Sequence, residues 1–155
     1  MTFAMGGVPH SGYFASSPHI LDHDLPYHRS KREGVLLLTQ SGFQVTEMLL
    51  PNTFGPGGKP FYNSVVSTFA LLAAQGKVPE RMDPVVLKLI PVRVLCRQIA
   101  GMLEEPFVSR REIRHTVELP LAELFQRLQR SLPEDDLDEL LLEIKQRYLT
   151  HAADR

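Results

Sequence analysis

Gly12-Tyr13-Phe14-Ala15-Ser16-Ser17 is a short aromatic run stopped by Pro18, as expected of a buried strand that ends in a loop. Working outward, the residues from Asp24 or Pro26 to Gln40 are good helix formers, and Ser41-Gly42 supplies a stop. Phe43 to Leu50 then reads as a second strand. Strand, helix and strand in that order imply a parallel βαβ unit with a right-handed crossover. Both strand ends, Ser16-Ser17 and Pro51-Asn52, then share one edge of the sheet, the edge at which open α/β sheets bind ligands.

Before this unit, residues 1–11 hold two glycines and a proline without periodicity, and read as a poorly ordered arm. Beyond it, Thr53 to Phe61 is a Gly/Pro-rich loop, too polar and irregular for core. Asn63 or Ser64 caps a helix whose inner face is Val65, Val66, Phe69, Leu72 and Ala73, closed by Gly76. Val85 to Ile90 is a third strand candidate, Val92 to Glu104 a helix, and Ile113 to Leu119 a fourth strand. Two helices end the chain: Leu121 to Arg130, with Leu121, Leu124, Phe125 and Leu128 inward, and Glu134 to Thr150, with Leu137, Leu140, Leu141, Ile144 and Tyr148 inward.

The 43% hydrophobic composition suits a globular fold, and a net charge of −1 gives no basic field for nucleic acid or anionic membrane. No apolar run approaches a membrane span, since Lys88, Pro91 and Arg93 break even Val85 to Val94. The opening residues lack the pattern of a signal peptide, so a cytoplasmic location is expected. Cys96 is the single cysteine, excludes an intrachain disulfide, and reads as core.

Tyr27 and Lys31 lie four apart on the first helix, hence on one face and one turn from each other. An ammonium stabilises a nearby phenolate, so the pair suits proton transfer. The strand end at Ser17 can bring a hydroxyl to the same place. His19, Asp22, His23, Asp24 and His28 form a His-rich patch, but Pro18 and Pro26 oppose one continuous helix through it, and no metal site is expected.

Pro26-Tyr27-His28-Arg29-Ser30-Lys31, after a strand ending in Ser-Ser, resembles the extended short-chain dehydrogenase/reductases, the NAD-dependent epimerase/dehydratase family. Leu50-Pro51-Asn52-Thr53-Phe54-Gly55-Pro56 and Pro60-Phe61-Tyr62-Asn63-Ser64-Val65-Val66-Ser67-Thr68-Phe69 are similar to the nucleotide-sugar 4-reductases and epimerases of capsular polysaccharide and O-antigen synthesis. The resemblance implies an α/β fold: a partial Rossmann-like parallel sheet with flanking helices over residues 12–62, then a mostly helical substrate-binding lobe over 63–155. It implies Tyr27 as general acid/base, Lys31 on the nicotinamide ribose, and Ser17, rather than Ser16, on the reacting sugar oxygen. Tyr27, Lys31 and Pro51 would border NAD or NADP, and Asn52, Asn63 and Lys59 a nucleotide-sugar.

Three features qualify that reading. The glycine-rich turn that the family uses to approach the pyrophosphate is missing, so the amino-terminal dinucleotide-binding half is expected from elsewhere, for instance a separately encoded polypeptide. The paired acids that relatives show near Ile90 to Val94 are absent. The exposed sheet left by a missing half favours association, and the helix with Val35-Leu36-Leu37-Leu38 is a natural homodimer contact, although core filling is the simpler use of that run. An inactive interaction module is therefore the alternative to an enzyme.

Overall fold

The computed structural model describes residues 11–18, 21 and 24–153, with side chains up to residue 149. It divides into two compact units, residues up to Pro51 with Gln98–Arg114, and Asn52–Arg97 with His115 onward. Residues 1–10 of the expected arm lie outside the described residues, and Ser11 already belongs to the first strand.

In the first unit, β1 (Ser11–Ser16), α1 (Pro26–Gln40) and β2 (Gln44–Leu49) form the expected βαβ. β1 and β2 are parallel, with Ser11 opposite Gln44 and Ser16 opposite Leu49, so both strands end at one edge. The β1–β2–β5 sheet is completed by β5 (Arg110–Glu112), parallel to β2. Pro26 starts α1 without losing a hydrogen bond, since the first helical N–H groups have no partner within the helix. Its end is a Schellman turn: Gly42 takes φ 85°, Phe43 N–H donates to Leu38 O and Gly42 N–H to Thr39 O. Only glycine adopts that backbone conformation without strain.

Strand alternation assigns the sheet faces. A Cβ at Gly34 would lie 3.0 Å from Phe14 Cζ, so Phe14 faces α1. Gly12 and Ser16 share that face, as do Val45, Glu47 and Leu49 through the register. Tyr13 points to the opposite face, where its hydroxyl donates to Met102 O at 3.1 Å.

The second unit holds β3 (Asn52–Phe54), α2 (Val65–Ala74), β4 (Val86–Pro91), β6 (Val117–Pro120), α4 (Leu121–Gln129) and α5 (Asp136–Ala153). β3 pairs parallel and β6 antiparallel with β4. α3 (Val92–Met102) divides between the two units. The core joins Phe54, Leu89 and Leu119 of the sheet to Val66, Phe69 and Ala70 of α2, the expected stripe of α4, and Leu141 and Ile144 of α5. Phe69 and Phe125 meet edge to face at 5.4 Å.

Four sequence expectations need correction. Asn52–Phe54 is a strand and not loop, because Phe54 is core and its neighbours pair with β4. The expected strand Ile113 to Leu119 forms only from Val117, as β6, while β5 ends before Ile113 and serves the other sheet. Cys96 is exposed, because the inward stripe of α3 follows Leu95 and Cys96 stands about 100° around the helix from it. Leu36 and Leu37 of α1 are 56% and 63% exposed, so half of the apolar run does not fill core.

Candidate active site

The first unit carries the phenol and the ammonium. α1 faces the sheet with His28, Lys31, Gly34, Val35 and Leu38, a three- and four-residue spacing that puts a lysine on an inner face. Lys31 Nζ donates to Ala15 O at 3.0 Å and lies over two rings, 5.2 Å from the Phe14 centroid and 5.6 Å from that of Tyr27. Tyr27 is 56% exposed and meets His28 edge to face at 5.5 Å. Its phenol is therefore open to solvent beside a fixed cation, as a group that exchanges a proton with a bound molecule needs to be.

Ser17 stands immediately after β1, half-buried. Ser16 is the last residue of β1, its hydroxyl buried with no hydrogen-bond partner among the described residues, while its carbonyl accepts from Leu50 N–H at 3.0 Å. Pro51 follows Leu50, so Ser16, Ser17 and Pro51 share the sheet edge that the βαβ order implies. Asp24 ties down the start of α1 by pairing with Arg29 at 2.7 Å and with Arg32. Arg29 first, then Arg32, holds its carboxyl below the usual carboxylate range. His19, Asp22 and His23 lie outside the described residues.

In the second unit Asn52 and Asn63 line one cavity of about 610 Å³, with Phe61, Tyr62, Leu87 and Leu89 among its walls. Ser64, and not Asn63, caps α2: its hydroxyl accepts from Ser67 N–H. Asn63 takes φ 52° and Phe61 φ 57°, a left-handed pair that turns the chain into the helix and leaves both aromatics, Phe61 and Tyr62, largely exposed. Lys59 belongs to an adjoining hollow of about 320 Å³ and lies 5.4 Å over the Tyr62 ring.

The loop before α2 is held from beneath. Gly58 packs so closely on Ser67 that a Cβ would overlap the Ser67 hydroxyl, and the Tyr148 hydroxyl donates to Gly58 O at 2.6 Å. Thr68 Oγ1 accepts from Phe61 N–H at 2.8 Å. Sequence reasoning named the loop but missed these supports, along with Leu87 and Leu89. The hydroxyls at Ser64, Ser67 and Thr68, at helical spacing after a Gly/Pro loop, were the available signal.

The described residues match only part of a dinucleotide's requirements. Tyr27 and Lys31 offer a phenol and an ammonium for a ribose. The β1–α1 link and the β2–β3 link contain no glycine that would let a pyrophosphate approach the backbone closely. Among the described residues no helix is long and apolar enough to cross a membrane.

No protein-family model matches the chain, and no curated protein is similar to it in sequence. Solved structures are similar. The capsular polysaccharide assembling protein CapF from Staphylococcus aureus matches 92% of this chain at 26% identity and TM-score 0.72, over 44% of its own length. UDP-N-acetylglucosamine 4-epimerase from Methanobrevibacter ruminantium, in complex with UDP-N-acetylmuramic acid, matches 91% at 15% identity and TM-score 0.71, over 63% of its length. WbmF from Bordetella bronchiseptica, in complex with NAD+ and UDP, matches 93% at 16% identity and TM-score 0.69, over 60% of its length. The chain thus spans between 44% and 63% of these neighbours. Fold and neighbours bear out the resemblance read from the sequence, and the chain carries part of the Rossmann-like fold of the extended short-chain dehydrogenase/reductases, the NAD-dependent epimerase/dehydratase type.

Proposed function

We propose that this chain supplies the acid/base wall of an NAD(P)-dependent nucleotide-sugar reductase, epimerase or dehydratase, with Tyr27 exchanging a proton with a sugar hydroxyl or keto oxygen. The observation that carries the reading is the exposed Tyr27 phenol beside a Lys31 ammonium fixed on the Ala15 carbonyl. Ser17, at the strand end, would hydrogen-bond the reacting oxygen. Lys31 and Tyr27 would hold the nicotinamide ribose, with Pro51 beside the ring, while Asn52, Asn63 and Lys59 would contact the nucleotide-sugar. NAD(P) supplies or accepts the hydride when bound. Because no glycine turn among the described residues serves its pyrophosphate, another segment would hold most of it.

Two measurements test this. NADH and NADPH are titrated by nicotinamide fluorescence against the chain, alone and with candidate dinucleotide-binding polypeptides. No response in any combination ends the enzymatic reading. Where turnover is found, Tyr27→Phe is expected to reduce kcat by about a hundredfold or more with the melting temperature unchanged, and undiminished turnover overturns the assignment.

A second reading rests on the exposed Leu36 and Leu37, which favour self-association through α1. In that case the chain is a dimer in sedimentation equilibrium, and Leu36→Glu with Leu37→Glu makes it monomeric. A wild-type monomer refutes it.

A further inference from the structure

We propose that Phe14 is a positioning residue for Lys31: its ring, braced by Gly34, is the platform that keeps the ammonium beside Tyr27. The inference rests on the acid/base reading above and adds a residue to it that the Tyr27, Lys31 and Ser17 set does not contain.

Lysine ends a flexible four-carbon stem, and fixing it costs rotamer entropy, so a lysine that stays in one place needs more than one anchor. Among the described residues no carboxylate forms an ion pair with Lys31. Its anchors are the Ala15 carbonyl at 3.0 Å and two ring faces. Of the two rings Tyr27 is the one the lysine is there to influence, and it is more than half exposed. Phe14 is the one fixed to the sheet.

Two independent features fix it. Strand alternation turns the Phe14 side chain to the α1 face, and on α1 the position that meets it is glycine, one turn beyond Lys31. A Cβ at Gly34 would approach Phe14 Cζ to 3.0 Å and Cε2 to 3.3 Å, closer than ordinary van der Waals contact. The far edge of the ring therefore rests on the helix backbone, and the ring cannot swing toward α1. Its face remains available to the ammonium of the same helix, at a distance where the ring quadrupole attracts a cation. Glycine within a helix is otherwise unfavourable, which the space for the ring explains.

The test reads the position of Lys31 and not turnover. The full chain is labelled with trace acetic anhydride at neutral pH, and acetylation of Lys31 relative to Lys77 is measured by peptide mass spectrometry in wild type, Phe14→Leu and Phe14→Met, each checked for native circular dichroism. Removing the ring is expected to raise relative Lys31 labelling by about two- to fivefold, the factor that a cation–ring attraction at a part-exposed site represents. Equal labelling of wild type and whichever of the leucine and methionine variants folds overturns the proposal. A failed Tyr27→Phe experiment would remove the catalytic reading while leaving the labelling result standing, so the two failures are distinguishable.

Discussion

Asp138 is the most heavily engaged carboxylate among the described residues, and replacing it by asparagine is predicted to weaken the second unit more than any change to the exposed charges around it. It lies in the first turn of α5, 3% exposed, and accepts from Arg130 Nη1 at 2.7 Å, Arg127 Nη1 at 3.1 Å and the Glu134 N–H at 3.1 Å. Asp135 caps the same helix by accepting from Asp138 N–H at 2.8 Å. Breaking a buried charged pair by removing one partner costs about 3–5 kcal/mol, and the arginines here are part-solvated, at 19% and 36% exposed, which places Asp138→Asn near the lower end, about 3 kcal/mol. At about 2–4 °C per kcal/mol for a chain of this size, the melting temperature should fall by about 6–12 °C. Burial alone would raise the Asp138 carboxyl, but Arg130, the Glu134 N–H and Arg127 outweigh it and hold it below its ordinary value of 3.8. A lowered carboxyl contributes stability that is complete above the unfolded value and is lost as the pH falls through the folded one. The gap between wild type and Asp138→Asn should therefore be full at pH 7 and close below about pH 4. Thermal melts of both proteins across that range decide it. A shift below about 2 °C at neutral pH, or a gap that survives acidification, refutes the reasoning.

Other perturbations follow from the same geometry. Glu47 is 3% exposed and is held by the Arg110 directly opposite it on β5, with Nε and Nη2 each 2.8 Å from the same carboxylate oxygen, so Arg110→Met should cost about 3 kcal/mol in urea unfolding. Glu47→Met with Arg110→Met should recover most of that loss, and a neutral single variant would contradict the pairing. Gly58→Ala should cost about 1–3 kcal/mol because the added methyl meets the Ser67 hydroxyl, and adding Ser67→Ala should cost less than the sum of the two changes; strict additivity in thermal melts would show that the two do not touch. In hydrogen exchange followed by mass spectrometry, α1, whose buried side chains reduce to His28, should exchange before α2, which buries Val66, Ser67, Phe69 and Ala70; equal protection of the two helices would count against this.

The βαβ unit was legible because its boundaries are chemical: Pro18 and Gly42 stop a strand and a helix whatever surrounds them. The apolar stripes of α4 and α5 were legible for a similar reason, since Leu121, Leu124, Phe125 and Leu128 leave only one face to bury. What escaped depends on pairing between distant segments. Asn52–Phe54 is a strand only through β4, and Ile113 to Leu119 is not one strand because Ile113 N–H bonds to Leu49 O of β2 while Val117 to Leu119 pair with β4. Nothing in the sequence sets Asp138 apart from the acids around it, because its burial comes from Arg127 and Arg130 folding over it. At the candidate site, the spacing of Tyr27 and Lys31 gave their common face. The Ala15 carbonyl and the Phe14 ring were not legible, because a lysine's anchors across sixteen residues of chain are a property of how α1 packs on β1.

That packing bears on how the candidate site works. α1 buries little apolar surface of its own, and its amino-terminal turn is tied by polar contacts: Lys31 to Ala15, and Asp24 to Arg29 and Arg32. Polar ties of this kind are directional and individually modest, so they set geometry more than stability. The exposed leucines on the outer side of the same helix mean that further burial there is gained only by association. A helix that carries a proposed acid/base group is thus oriented by its inner contacts while much of its available hydrophobic stabilisation remains unused. A second polypeptide that covers Leu36 and Leu37 would stabilise the Tyr27–Lys31 arrangement without touching either residue, which links the two readings of this chain instead of opposing them.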